Sequence, residues 1–238
     1  MGIMQTLPAR RGIMDDTKPK RTSSKQAIVQ AMVTLLQTQS SEDIRVKDLI
    51  TEAGIARSLF YYHFESVNDV LELMITDFVD GFTQTLVDAF PATLTSPPAR
   101  TDADTMQEQN IASFRYIYNN KDIYWSLSRD AFAAPSFRNR LRRGMIWAYE
   151  QCDFLFTDKA GNRCMLNRRE AEYFVESFVW RHMGVIECWS NRQFAETPEE
   201  LYAMEMVLDH LNHAPQIVRR QRYANYGAVR NVSWQDFA

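Results

Sequence analysis

Arg57, Ser58, Tyr61, Tyr62 and His63 fall within one stretch of seven residues, where a single short helix would present them together. An arginine and a serine near the start of such a helix suit the edges of bases, because a planar guanidinium can bond guanine O6 and N7 at once. The two tyrosines and the histidine suit phosphate oxygens. Upstream, Arg45 and Lys47 add cations that would release condensed counterions from a nucleic-acid backbone. Aromatic residues at helical spacing also pack small cores, which is the expected role of Phe64 and a competing one for Tyr61. Between residues 18 and 64 seven cations stand against four acids, a modest local excess of +3.

Other chemistries find little support. There is no Gly-rich phosphate loop, no G-x-S-x-G elbow and no serine or cysteine with an evident base partner, so the reading is not an enzyme. Cys152, Cys164 and Cys188 form no C-x-x-C pair, which favours a reduced, cytoplasmic setting without zinc or a redox centre. His182, His210 and His213 have a spacing that could hold a metal, but no matching carboxylate or thiol set accompanies them. No metal and no cofactor are therefore expected.

The 238 residues, 45% of them hydrophobic, can bury one good core or two connected ones. A net charge of -3 gives no whole-protein attraction to nucleic acid, so binding must come from a local patch. No apolar run approaches a membrane span, and the first residues lack the apolar core of a signal peptide, so no membrane partner is expected. Eight glycines and eight prolines are too few for many strand turns, and helices are expected throughout.

Ser23 with Gln26 fits a capping box that opens a helix over about 24 to 39. Val46, Leu49 and Ile50 give a short apolar stripe, Gly54 can supply a tight turn, and a second short helix follows. Ser66 with Asp69 opens a long helix through Phe78, and residues 91–104 read as a loop. Two helices broken near Asn119–Asn120 come next, then one opened by Pro135 and running to about Phe156, with a turn at 159–162. Asn167 with Glu170, and Thr197-Pro198-Glu199-Glu200, each mark the start of a further helix.

The run Leu49-Ile50-Thr51-Glu52-Ala53-Gly54-Ile55-Ala56-Arg57-Ser58-Leu59-Phe60-Tyr61-Tyr62-His63-Phe64 resembles the signature of the TetR family. Gly54, Tyr61, His63 and Phe64 stand where that family's pattern has them, and Leu71 falls in its following helix. Three positions depart from the pattern: Ile50 replaces a small residue, Arg45 stands at a common threonine cap, and Val67 replaces a lysine that would contact phosphate. The resemblance covers about a quarter of the chain. It implies an all-α protein with an N-terminal three-helix helix-turn-helix DNA-binding domain and a larger helical ligand-binding and dimerisation domain. The divisions expected are a flexible arm at 1–20, a DNA-binding domain at 21–66, an effector and dimerisation domain at 67–213, and a basic tail at 214–238.

The function implied is a ligand-responsive repressor that binds a palindromic operator on double-stranded DNA as a homodimer. The wide apolar faces of the last two helices suit the dimer interface. Arg115, Tyr118, Trp125, Arg129 and Trp147 are candidates to hold a flat or anionic small-molecule effector, although ordinary helix packing competes for each. Gly184 through Trp189 and the following Thr197-Pro198-Glu199-Glu200-Leu201 weakly resemble an activator of dihydroxyacetone kinase type. That similarity, with Val67 and the modest basic patch, keeps open a coactivator that binds a protein partner and not DNA.

Overall fold

The computed structural model describes residues 23–89, 102–150, 155–157, 163–165 and 167–212. The expected arm at 1–20, the basic tail at 214–238 and most of the 91–104 loop lie outside them. Nine helices are described: α1 (Ser24–Leu35), α2 (Val46–Ala53), α3 (Arg57–His63), α4 (Val67–Ala89), α5 (Asp102–Asn119), α6 (Lys121–Arg129), α7 (Ala133–Glu150), α8 (Arg168–Asn191) and α9 (Pro198–Asn212). Two short strands, β1 (Leu155–Thr157) and β2 (Arg163–Met165), pair antiparallel with Phe156 opposite Cys164. No described helix is long and apolar enough to cross a membrane.

Helix starts follow local chemistry. Ser23 Oγ accepts from the Gln26 N–H while Gln26 Oε1 accepts from the Ser23 N–H, closing the capping box of α1. Asn167 with Glu170 does the same for α8, at 3.0 and 2.9 Å, and Thr197 with Glu200 for α9. Asp69 takes the N–H groups of Glu65 and Ser66 and gives its own to Ser66 Oγ, fixing the entry to α4. These donations hold its carboxyl below the usual carboxylate range.

Several boundaries differ from expectation: α5 starts at Asp102, inside the stretch read as a loop, and α7 at Ala133, two residues before Pro135. α1 ends at Leu35, because tight turns with Thr38 N–H donating to Leu35 O replace the last helical turn before residue 39. α7 ends at Glu150, not near Phe156: residues 155–157 are β1, one strand of an antiparallel pair. A strand of three residues leaves no useful period in the sequence, so it reads as the tail of the preceding helix.

The apolar residues form one contiguous core. Ile28, Met32, Ile44, Leu49 and Phe60 fill the space between the first three helices, and the same core continues through Val70, Met74, Phe78 and Phe82 along α4. Thus α4 belongs to both ends of the molecule. Phe78 meets Tyr116, Tyr124 and Phe137 at centroid separations of 5.3, 5.9 and 5.3 Å, within the range where edge contacts between rings are favourable. At the end of α8, Gln193 and Phe194 both take positive φ, 59° and 56°. Phe194 is repaid by burial against Trp189 at 4.9 Å, which offsets the strain of a left-handed backbone.

Candidate nucleic-acid interface

The turn between α2 and α3 rests on Gly54, whose φ of 61° and ψ of 37° are left-handed. The Ile55 N–H donates to Ile50 O across it at 3.2 Å, the six-to-one bond of a Schellman ending. A side chain at Gly54 would meet no neighbour within 4 Å, so the residue is required by backbone conformation alone. Arg45 precedes α2, and its N–H donates to Asp48 Oδ2 at 2.9 Å. Where a threonine hydroxyl would have capped this helix, the acidic third residue reaches back instead.

Phe60 and Phe64 anchor α3 from below, at 0% and 6% exposure. With these rings inward, the other face of the helix turns outward: Tyr61 is 46% and Tyr62 79% exposed, and Arg57 and Ser58 are exposed as well. Arg57, Arg45 and Lys47 line one shallow surface depression between α2 and α3, with Val46, Ile50 and Thr51 completing its wall. Three of the cations singled out in the sequence therefore face one space. Among the described residues none of the three has an ion pair. Thr51, not anticipated from sequence, donates its hydroxyl to Lys47 O at 2.8 Å, and no local pattern marks it.

Arg57 lies along its own helix in this state. Its Nη2 donates to Tyr61 Oη at 3.3 Å, and the guanidinium stands 5.4 Å from the ring centroid. At an exposed site such a contact holds the side chain by about 0.5–1 kcal/mol, little enough for the fork to swing outward. His63 is more constrained. Its Nε2 meets Ser24 Oγ at 2.6 Å, tying the end of α3 to the start of α1, and its ring is half-buried. A phosphate contact from His63 would have to use Nδ1.

The candidate effector residues do not converge on one space. Arg115 is bound to Glu199 at 2.7 Å. Tyr118 stacks on Trp189 at 5.8 Å, and Arg129 lies 3.7 Å over Trp125 while donating to Asn191 Oδ1. These four sit against the ends of α8 and α9. Trp147, 52% exposed, lies elsewhere, lining a surface depression between α4 and α7 with Thr76, Asp80, Thr83, Arg140 and Arg143.

His182, considered for metal, is fully buried. Its ring nitrogens meet Ser113 Oγ at 3.0 Å and Glu205 Oε1 at 2.9 Å, and Phe114 stacks on it at 4.7 Å. Burial pushes the Glu205 carboxyl up, but His182 and Arg181 outweigh it and hold the group below the usual range. Serine, histidine and glutamate in this order resemble a catalytic relay, yet Ser113 is itself 0% exposed and no reacting atom can reach it. The set joins α5, α8 and α9. Among the described residues no group of three or more histidine, cysteine, aspartate or glutamate side chains could hold a metal ion. His213 lies outside those residues.

Residues 104–208 match a family model described as a transcriptional regulator C-terminal region, of TetR type. No curated protein shows significant sequence similarity to the chain. Among solved structures, a protein of Syntrophomonas wolfei assigned to the TetR-family regulators superposes with a TM-score of 0.57 at 16% identity, covering 83% of this chain and 98% of its own. A Clostridium perfringens protein assigned to fatty acid metabolism regulation gives 0.55 at 15% identity over 82% and 100%. The fatty acid degradation regulator FadR of Bacillus halodurans gives 0.53 at 12% over 80% and 96%. These three establish a shared fold. The Leu49–Phe64 run, folded as two short helices about Gly54, and residues 104–208, matched to a transcriptional regulator C-terminal region, both resemble the TetR family of transcriptional regulators.

Proposed function

We propose that this protein binds double-stranded DNA as a homodimer, each copy laying α3 in a major groove of a pseudo-palindromic operator, and that a small-molecule effector releases it. The observation that carries this reading is the depression lined by Arg45, Lys47 and Arg57, three exposed cations without acidic partners among the described residues, beside the outward Tyr61 and Tyr62. Cations so placed neutralise phosphates and release counterions, and Arg57 and Ser58 near the start of α3 are the residues for base edges. Residues 21–66 serve as the reading unit in this account and 67–213 as the effector and dimerisation unit.

The dimer is supported by a stripe of exposed apolar residues. Tyr173 and Trp180 stand seven residues apart on α8, with Gly184 continuing the same face, and Met204 and Val207 are exposed on α9. Large apolar side chains aligned in this way on two adjacent helices suit an isologous contact. For the effector, the depression holding Trp147 and Arg143 offers an aromatic plate beside a cation, with Arg140 at its edge held by Glu72, whereas Arg115 is paired with Glu199 and Arg129 lies on Trp125.

The test is selection from a random duplex pool at about 150 mM salt, where non-specific phosphate binding is weakened. A palindromic consensus is expected. No enrichment, from protein shown to be folded and dimeric, would overturn the reading and favour a coactivator that works through a protein partner.

A further inference from the structure

Asp130 lies in the short connection between α6 and α7, about 90 residues along the chain from the turn that joins α1 to α2, yet it binds both. Its Oδ1 accepts the Ala133 N–H at 2.8 Å and the Phe132 N–H at 3.2 Å, capping the start of α7. The same oxygen accepts the Ser41 hydroxyl at 2.8 Å. Oδ2 accepts the Ser41 N–H at 2.8 Å and, more weakly, the Ser40 hydroxyl at 3.4 Å. Both Asp130 and Ser41 are 7% exposed. One buried carboxylate thus takes five donors from two segments, and its charge faces the positive end of α7. Nearby, Ser126 Oγ of α6 donates to Val33 O of α1 at 3.4 Å, a second polar tie across the same contact.

We infer that Asp130 is a positioning residue for DNA reading: it fixes the angle at which α1–α3 stand on the α6–α7 corner, and so the separation of the two recognition helices in a dimer. The chemistry makes this joint two-state. Ser41 withdrawn by an ångström or two leaves a desolvated carboxylate short of donors, which is costly, so the joint is either closed or fully open to water. This inference rests on the proposed DNA reading only for its operator arm, because the angle itself can be measured without DNA.

Asp130→Asn separates the two halves of the joint. An amide still caps α7, but it has one acceptor oxygen where the carboxylate has two, and its NH2 would face the Ser41 N–H. Nitroxide labels at Glu52→Cys and Asn139→Cys, both exposed positions, with Cys152, Cys164 and Cys188 changed to serine, give the distance from α2 to α7 by pulsed dipolar spectroscopy. The parent should show one narrow distribution, and Asp130→Asn one at least twofold broader with helical content unchanged. In the operator arm, the preference for the selected half-site spacing over a spacing changed by two base pairs should fall about 10-fold, an amount worth 1.4 kcal/mol. Binding to a single half-site should stay within twofold. Ser41→Ala, the milder change, should shift both readouts in the same direction. Distributions of equal width in parent, Asp130→Asn and Ser41→Ala overturn the joint whatever the DNA result. A broadened angle with no DNA selected by the parent upholds the joint and defeats the operator reading instead.

Discussion

The arginines of the reading unit and those of the helices behind it are used in opposite ways. Behind it, Arg138, Arg140, Arg142, Arg168 and Arg192 each meet a glutamate, Glu187, Glu72, Glu176, Glu172 and Glu196, at 2.6 to 3.3 Å. In the reading unit Arg45, Lys47 and Arg57 share a depression with no carboxylate in its lining. The net charge of the chain is slightly negative, so the difference cannot be an excess of cations overall. It is a matter of placement. Glutamates pair with these five arginines in one region, whereas in the other the nearby acids leave Arg45, Lys47 and Arg57 without an ion pair among the described residues. That unpaired surface is the one that would meet an external polyanion.

The comparison fails first if the reading unit does not hold its shape. Phe60 is fully buried beneath α3, and Phe60→Ala should cost about 3–5 kcal/mol by transfer and cavity terms together, read as a fall in the urea midpoint. DNA selection should disappear with it. A variant of unchanged midpoint would mean that α3 is not anchored by this ring. Arg57→Ala tests the free cations without touching the core. It should relax base preference at one operator position and weaken specific binding by about 1–3 kcal/mol, while the urea midpoint stays put. Unaltered base preference would remove Arg57 from the reading role and leave it a solvated charge.

Much of this contrast was legible in the chain itself, because the reading unit is built from local signals. Ser23 with Gln26, the Gly54 turn and the Tyr61-Tyr62-His63-Phe64 run each lie within a few residues of what they determine, and helices, caps and turn fall where those signals put them. The larger half was less legible where partners are distant. Ser113, His182 and Glu205 come from three helices, and Asp130 meets Ser41 across 89 residues; no period in a sequence encodes such meetings. The effector candidates are likewise drawn from distant segments: Arg115 meets Glu199 of α9, whereas Trp147 lines the depression between α4 and α7.

A smaller effect joins the two regions through pH. Burial pushes the Asp130 carboxyl up, but donations from Ser41, Ala133 and Phe132 outweigh it and leave the group below the usual carboxylate range. A carboxyl lowered on folding contributes stability above its unfolded pKa of about 3.9 and loses that contribution as pH falls through the lower folded value. Urea midpoints measured from pH 6 to pH 3 should therefore decline for the parent more steeply than for Asp130→Asn, which has no proton to take up there. Parallel declines would show that Ser41 does not hold Asp130 ionised.

The smallest effect bears on the paired arginines. Arg168 is 95% exposed and meets Glu172 one helical turn away at 3.3 Å, a surface pair of the kind worth about 0.3–0.5 kcal/mol. Arg168→Ala should shift the urea midpoint barely beyond error. It should also leave the salt dependence of DNA binding unchanged, because a cation already neutralised by a carboxylate releases no counterion from phosphate. Lys47→Ala, by contrast, removes a cation with no such partner among the described residues, and should lower the slope of log K against log salt by about 0.9. Equal slopes for Lys47→Ala and Arg168→Ala would mean that pairing with glutamate does not decide which cations reach DNA. The distinction between the two regions would then rest on the shape of the α2–α3 surface alone.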